Sequence, residues 1–359
     1  MRAYAVVENG KPLQPIELPT PEPEGAQVLL EVTHCGVCHS DIHIWDGFYD
    51  LGGGKVLTLK DRGVTLPLAM GHEVVGRVLK LGPQAAASGL RPGDLRLVYP
   101  WVGCGTCAKC RGDEDNMCLA PRSIGVYQHG GYATHVLVPE PRHLVAIDGL
   151  DPALAATYAC SGLTVYSAIR KVMPLPPDEP IVLFGAGGLG LNAIAVLKAL
   201  GHRRIVAVDI DPRKREAALA EGASDAVDGR ADTPEEVASR VTAACGGPVE
   251  AVIDLVGAGP SARAAFASLR KGGKLILVGL YGGDLPLPLP LMATRALTVR
   301  GSYVGSLREL RELIALAKDG ALPAIPIAIE PLGKAGEALE RLRAGQVVGR
   351  IVLANDGRF

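Results

Sequence analysis

Residues 181–201 read IVLFGAGGLGLNAIAVLKALG, and residues 205–209 read IVAVD. A short apolar run meets a cluster of glycines and then opens into a helical pattern that stops at Gly201. Gly185, Gly187 and Gly190 fit G-x-G-x-x-G, with Gly188 and Leu189 between the last two. The pattern is weak alone, but here it lies between a strand-like and a helix-like segment. The first glycine makes the tight turn, the second lets backbone approach a pyrophosphate, and the third lets helix pack on strand. The helix N-terminus attracts the phosphate charge. Asp209 closes the next apolar run about 20 residues further on, where a carboxylate accepts from the adenosine ribose hydroxyls and repels a 2′-phosphate. NAD is therefore expected over NADP. Arg213 and Lys214 lie nearby and either soften that preference or form a solvated helix start.

Strands and helices keep alternating outward from this stretch. A helical segment from Pro212 to Gly222 precedes AVIDLVGAG (251–259), SARAAFASLRKGG (261–273) and KLILVGL (274–280). Alternation at this spacing implies βαβ units and a doubly wound parallel sheet. LPLPLP at 285–290 is read as its end. Upstream, DPALAATYACSGLTVYSAIRKV (151–172) reads as two helical stretches joined near Ser161 and Gly162. Before residue 151 the chain is rich in short β-like runs, VLLEV (28–32), VVGRVL (74–79) and HVLV (135–138), split by Gly and Pro. After residue 295 come one clear helix, SLRELRELIALAKDG, and a last strand, GRIVLAN. The expected organisation is α/β: a β-rich domain from 1–150 and 295–359, and a dinucleotide-binding domain from 151–294.

Composition restricts the function classes. The 359 residues are 48% apolar and 21% charged, with a formal net charge of −1, which is ordinary for a globular protein. A basic excess for nucleic acid is lacking, and no run of about 18 apolar residues suggests a membrane span. The start, MRAYAVVENGKPLQ, lacks the apolar core of a leader, and a cytoplasmic location is expected. Thiols stay reduced there, so clustered cysteines favour metal ligation over disulfides.

Four of the eight cysteines lie close together, as Cys104-x2-Cys107-x2-Cys110-x7-Cys118. Four thiolates close a tetrahedral zinc site with no open position, which holds a loop and does not catalyse. The spacing does not match ferredoxin runs. The intervening RGDEDNM carries more acid than base, against a nucleic-acid ribbon. Cys35 and Cys38 mimic a redox CxxC, but a thioredoxin-like reading needs a strand-to-helix junction in a small domain.

Hydride chemistry needs an electrophile beside the cofactor. Cys38-His39-Ser40-Asp41-Ile42-His43 concentrates thiol, imidazole and hydroxyl in six residues, His72 and Glu73 follow, and Cys160 begins the second domain. Two thiolates and an imidazole would make a zinc tripod with its fourth position open. Taken singly, Cys160 reads equally as a core thiol and His72 as a hydrogen-bonded structural residue.

With CGVCHSDIHIW, GHEVVGRVLKLG, the four-cysteine cluster, ACSGLTVY, GAGGLG with Asp209, GSYVG and VVGRIVL, the chain resembles the zinc-dependent alcohol dehydrogenases of the medium-chain dehydrogenase/reductase family over nearly its whole length. The resemblance implies a GroES-like catalytic domain joined to a Rossmann domain, NAD, and two zinc ions per subunit. Cys38, His72 and Cys160 match the catalytic zinc ligands, and Cys104, Cys107, Cys110 and Cys118 the structural ones. Glu73 matches an acidic neighbour of the metal, and Asp41 the carboxylate that orients the zinc-bound histidine. Ser40 and His43 match a proton relay through the nicotinamide ribose. His39 matches a position facing the pyrophosphate, and Thr164, Val278, Ser302, Val304 and Arg350 match positions lining the nicotinamide and phosphates.

Trp45 and Trp101 fall where tryptophans narrow the pocket of microbial relatives, with Leu280 adding to that wall; core packing is the plainer reading of each. Residues 46–70 are longer than the loop of shorter members and would extend the lip of the entry. The resemblance implies a small alcohol, aldehyde or ketone as substrate and a homodimer or homotetramer, with KLILVGL to TVRGSYV as the interface region. Alternatives are a polyol or amino-alcohol dehydrogenase of the same family and a non-catalytic, zinc-stabilised NAD-binding sensor.

Overall fold

A computed structural model describes residues 1–355; residues 356–359, the end of the 295–359 segment, lie outside it. Two sheets organise the chain. The larger N-terminal sheet runs in the order Leu144–Ala146, Leu95–Val98, Glu73–Leu81, Val28–Gly36, Arg350–Ala354 and Ile327–Pro331, with His135–Val138 also on Val28–Gly36. Val28–Gly36 and Glu73–Leu81 pair antiparallel and bring Gly36 opposite Glu73. The last strand lies antiparallel on the same strand, with Val352 opposite Gly36, so the end of the chain returns to the N-terminal sheet.

The second sheet is parallel throughout, in the order Asp225–Asp228, Ile205–Asp209, Ile181–Phe184, Val249–Asp254, Leu269–Leu277 and Thr298–Gly301. In chain order this is 3-2-1-4-5-6, whose switch point lies where Ile181–Phe184 meets Val249–Asp254. Ile181–Phe184 is buried at every position, as a central parallel strand covered on both faces must be. One boundary differs from expectation. The prolines at 285–290 do not end the alternation. They lead into a short helix, Leu289–Thr294, and then Thr298–Gly301 adds the sixth strand, beyond residue 294. A proline run interrupts backbone hydrogen bonding but leaves the apolar residues after it free to join a sheet edge.

Between the sheets runs one long helical segment, Pro152–Val172, whose middle turn, Tyr158–Gly162, is π-helical. It is not two helices. Its residues share one buried cluster with Cys38, Trp101, Ile181 and Leu191, so a single core spans the junction. Residues 46–70 form a small hairpin, Phe48–Asp50 against Val56–Thr58. Its tip, Gly52-Gly53-Gly54, holds three successive positive φ angles that only glycine adopts freely. No helix among the described residues is long and apolar enough to cross a membrane.

Candidate functional site

Three segments far apart in sequence converge at the domain junction. Cys38 caps the helix His39–Asp46, His72 precedes the strand Glu73–Leu81, and Cys160 sits in the π-helical turn. One ligand atom from each lies within 4.8 Å of the others, and all three residues are buried. The Cys38 and Cys160 sulfurs are 4.0 Å apart. Without a cation they cannot both ionise: the hydrogen bond between them, with His72 behind it, brings Cys38 well down, and that bond and burial push Cys160 well up. This donor set fits zinc, which takes thiolate and imidazole together.

The π-helical turn has a specific consequence. In an α-helix the Ser161 N–H would donate to Thr157; here the Ser161 hydroxyl donates to that carbonyl, and the freed N–H donates to Glu73 Oε1 at 3.1 Å. Glu73 Oε2 accepts from the Arg350 guanidinium in a fully buried ion pair. Burial pushes the Glu73 carboxyl up to about 7 against the pull of Arg350. His72 is held from the other side: its Nδ1 lies 3.0 Å from Asp41 Oδ1. Asp41 Oδ2 in turn accepts from the Cys38 N–H and the Tyr132 hydroxyl, each at 3.0 Å. Tyr132 has no signal in the sequence, because a donor that orients a carboxylate through tertiary contact belongs to no local pattern.

The cofactor candidates form a cradle beside these ligands. Gly187 caps the helix Gly188–Ala199, and a Cβ there would meet open space, whereas one on Gly190 would strike the Gly185 carbonyl at 2.2 Å. Gly185 has φ +98°. A Cβ on Gly188 would lie 2.3 Å from Arg350 Cδ, so Arg350 joins the glycine turn to Glu73. Val278, Val304 and Leu189 are buried or half-buried around the junction. Thr164 Oγ1, Ser302 Oγ and Arg350 Nε are buried without a hydrogen-bond partner among the described residues. Buried polar atoms are normally paired, so these three suit a polar ligand such as a dinucleotide. Desolvation lowers the His39 imidazole, and the nearby Arg350 and Lys214 charges push the same way.

Asp209 Oδ2 accepts from the Ala186 N–H at 2.8 Å and Oδ1 from the Asp211 N–H at 2.9 Å, which fixes the carboxylate beside the glycine turn. Arg213 pairs with Asp211. Replacing Asp209 by serine removes the charge that repels a 2′-phosphate. The ratio of kcat/KM with NADP⁺ to that with NAD⁺ is expected to rise about tenfold or more, measured by initial rates with each cofactor. An unchanged ratio would refute the assignment.

Ser40 and His43 stand one turn apart on the helix that Cys38 caps, which places them on one face. The His43 ring lies 4.9 Å from that of Tyr49, and burial lowers its imidazole. Trp101 is 4% exposed; its ring is 5.2 Å from that of His72 and 5.9 Å from that of Tyr303, and its Nε1 donates to Ala159 O. Leu280 lines an open cavity with Tyr49 and Tyr303. Trp45 does not join this wall. It is buried in the N-terminal core, its Nε1 donates to Lys11 O, and Arg343 stacks on it at 4.1 Å. The helix ends at Asp46, so the chain turns and aims Tyr49, not Trp45, at the cavity. Tyr303 could have been found within GSYVG; Tyr49 needed the position of the helix end.

The four-cysteine lobe is compact. Sulfur separations of 3.5 Å for Cys107–Cys110 and 3.9 Å for Cys104–Cys110 and Cys107–Cys118 are close to the spacing of about 3.8 Å that a tetrahedral Zn–S₄ centre requires. The Thr106 hydroxyl and backbone N–H groups bring Cys104 down to about 5, whereas burial and the neighbouring sulfurs push Cys110 up to about 12. Such a split is relieved when one dication coordinates all four as thiolates. The lobe is docked at several points. Against the cost of burial, His143 and Arg142 hold the Asp115 carboxyl down at about 2. Asn116 Nδ2 donates to the Tyr303 carbonyl at 3.1 Å, and the Leu307 N–H to the Asp113 carbonyl at 3.2 Å. Between these anchors Val304 has φ +41°, a strained value for a β-branched residue.

Two family models match the chain: an alcohol dehydrogenase GroES-like domain over residues 24–149 and a zinc-binding dehydrogenase domain over residues 188–319. The NAD-dependent alcohol dehydrogenase of Sulfurisphaera tokodaii is 37% identical over 98% of this chain and 99% of its own length. The D-arabinose 1-dehydrogenase (NADP(+)) of Saccharolobus solfataricus is 32% identical over 98% and 97%. Among solved structures, the alcohol dehydrogenase of Aeropyrum pernix superposes with a TM-score of 0.88 at 30% identity, covering 99% of this chain and all of its own.

Proposed function

The chain belongs to the zinc-dependent alcohol dehydrogenases of the medium-chain dehydrogenase/reductase family, and from that premise we propose how its residues divide the work. The reaction is NAD-linked oxidation of an alcohol to an aldehyde or ketone. Cys38, His72 and Cys160 hold the catalytic ion; Cys104, Cys107, Cys110 and Cys118 hold the structural one. When bound, zinc supplies a Lewis acid at the open fourth position, and the nicotinamide supplies the hydride acceptor.

The chain's own groups do the rest. Asp41 orients the His72 ring and favours Nε2 as the ligand atom. Ser40 Oγ receives the alcohol proton and His43 delivers it towards solvent, helped by an imidazole whose burial favours the neutral form. Trp101, Val304 and Tyr303 exclude water from the reacting carbon. Thr164, Ser302, Arg350 and the glycine turn bind the cofactor, and Asp209 selects NAD. The convergence of two thiols and one imidazole within 4.8 Å, beside that turn, carries this reading. A sensor would need no open metal position.

The protein is proposed to work as a homodimer or homotetramer. Among the described residues Thr298–Gly301 pairs on one side only, and the neighbouring Leu289 and Leu291 are exposed, which supports pairing of this sheet edge across a two-fold axis.

The test is NADH formation, followed by absorbance, from NAD⁺ with zinc-loaded protein and a panel of primary, secondary, cyclic and aromatic alcohols. Turnover that disappears on removal of zinc supports the assignment. A zinc- and NAD-loaded protein that oxidises none of them returns weight to polyols or to a binding role.

A further inference from the structure

The segment of residues 46–70, just after its hairpin, brings a cation into the wall of the candidate substrate cavity. That cavity, of about 420 Å³, is lined by Tyr49, Asp50, Leu57, Arg62, Leu280 and Tyr303. Both tyrosines touch the chemistry. Tyr49 lies against His43, and Tyr303 lies against Trp101, which lies against His72. The cavity therefore lies beside the candidate metal site, and its wall combines these two rings and leucines with the charged Asp50 and Arg62. Arg62 lines it with its guanidinium 6.0 Å from the centre of the Tyr49 ring.

The guanidinium has no carboxylate partner among the described residues. Asp50, which lines the same cavity, and the adjacent Asp61 form no ion pair with it; Asp61 Oδ2 accepts from the Thr58 hydroxyl at 2.5 Å, and Asp50 Oδ1 from the Gly52 N–H at 2.8 Å. Arg343 offers a contrast. It stacks on Trp45 and also pairs with Asp46. Arg62 lies farther from its ring, at 6.0 Å, and has no such anion. A guanidinium without a carboxylate partner keeps its edge N–H groups available, and these can take a carboxylate in bidentate fashion.

We propose that the substrate is an alcohol carrying a carboxylate at the end remote from its carbinol, an ω-hydroxy acid or a (hydroxymethyl)aryl acid, with Arg62 binding the carboxylate. This rests on the dehydrogenase reading above. The carbinol carbon loses hydride to NAD⁺ and its oxygen loses a proton to the relay, giving an aldehyde acid and NADH; the remote carboxylate is unchanged. Arg62 selects the substrate through binding and takes no part in the hydride step.

The test compares substrates matched in length with zinc-loaded enzyme: 4-(hydroxymethyl)benzoate against 4-methylbenzyl alcohol, and 6-hydroxyhexanoate against 1-hexanol. In the natural protein kcat/KM is expected to favour the acid about tenfold or more, mostly through KM, with the advantage shrinking as salt is raised. In Arg62→Met, which keeps an unbranched stem, the ratio falls to about one; in Arg62→Lys it is intermediate. Binding of 4-methylbenzoate, followed by tryptophan fluorescence, weakens in Arg62→Met in parallel. A ratio near one in the natural protein, or one preserved in Arg62→Met, overturns the proposal while the oxidation of neutral alcohols leaves the dehydrogenase reading standing. No NADH from any alcohol overturns both.

Discussion

Replacement of His72 by alanine is expected to lower kcat/KM for alcohol oxidation by about 10³-fold or more. Lewis-acid stabilisation at such a site contributes several kcal/mol, and each decade of rate corresponds to about 1.4 kcal/mol. The change removes the only imidazole of the ligand set, and it leaves the fully buried Asp41 carboxylate without the ring it faces. Two thiols alone, one of them pushed up in pKa, make a poor zinc site. The measurement is steady-state turnover together with metal analysis, which should show one zinc per chain where the natural protein holds two. Because Asp41 still accepts from Cys38 and Tyr132, the fold should survive, and circular dichroism checks this. A folded variant with turnover within tenfold of the natural protein would remove His72 from the ligand set.

Cys110→Ser should act differently. Cys110 is buried in the lobe with two other sulfurs within 3.9 Å, and a serine hydroxyl does not replace a thiolate on zinc. Structural zinc sites contribute folding free energy directly. A loss of several kcal/mol corresponds to a fall in Tm of order 10 °C for a chain of this size. The effect should reach the substrate cavity as well, because Asn116 and Asp113, both within the lobe, hold the segment from Tyr303 to Leu307 in place. With that anchor loosened, the strained Val304 relaxes and Tyr303 shifts against Trp101, so KM should rise along with the fall in Tm. Calorimetry, metal analysis and KM measured below the transition test this together. Retention of two zinc ions with an unchanged Tm would show that the lobe folds without its metal.

The sequence by itself determined the parts whose physics is local. The glycine turn, the following helix and Asp209 lie within one βαβ unit, so their spacing specifies their geometry, whereas the 3-2-1-4-5-6 order and its sixth strand came from the packing of the whole sheet. The lobe cysteines span fifteen residues, and a tetrahedral ion can be read from their spacing. The separated candidate ligands Cys38, His72 and Cys160 are legible in the sequence only as a combination, first of chemistry and then of family resemblance, and only folding placed them within 4.8 Å. What the tertiary structure alone decided is the direction of side chains. Trp45 turned into the core and Tyr49 into the cavity because the helix between them ends at Asp46. Ser161 reached Glu73 because one helical turn is π-helical and leaves its N–H to bond across the junction. Arg62 came into the cavity wall just after a hairpin whose register no local pattern announces. Backbone preference and motif spacing act over a few residues, whereas a pocket wall is assembled from segments hundreds of residues apart, and its facing follows from how they pack.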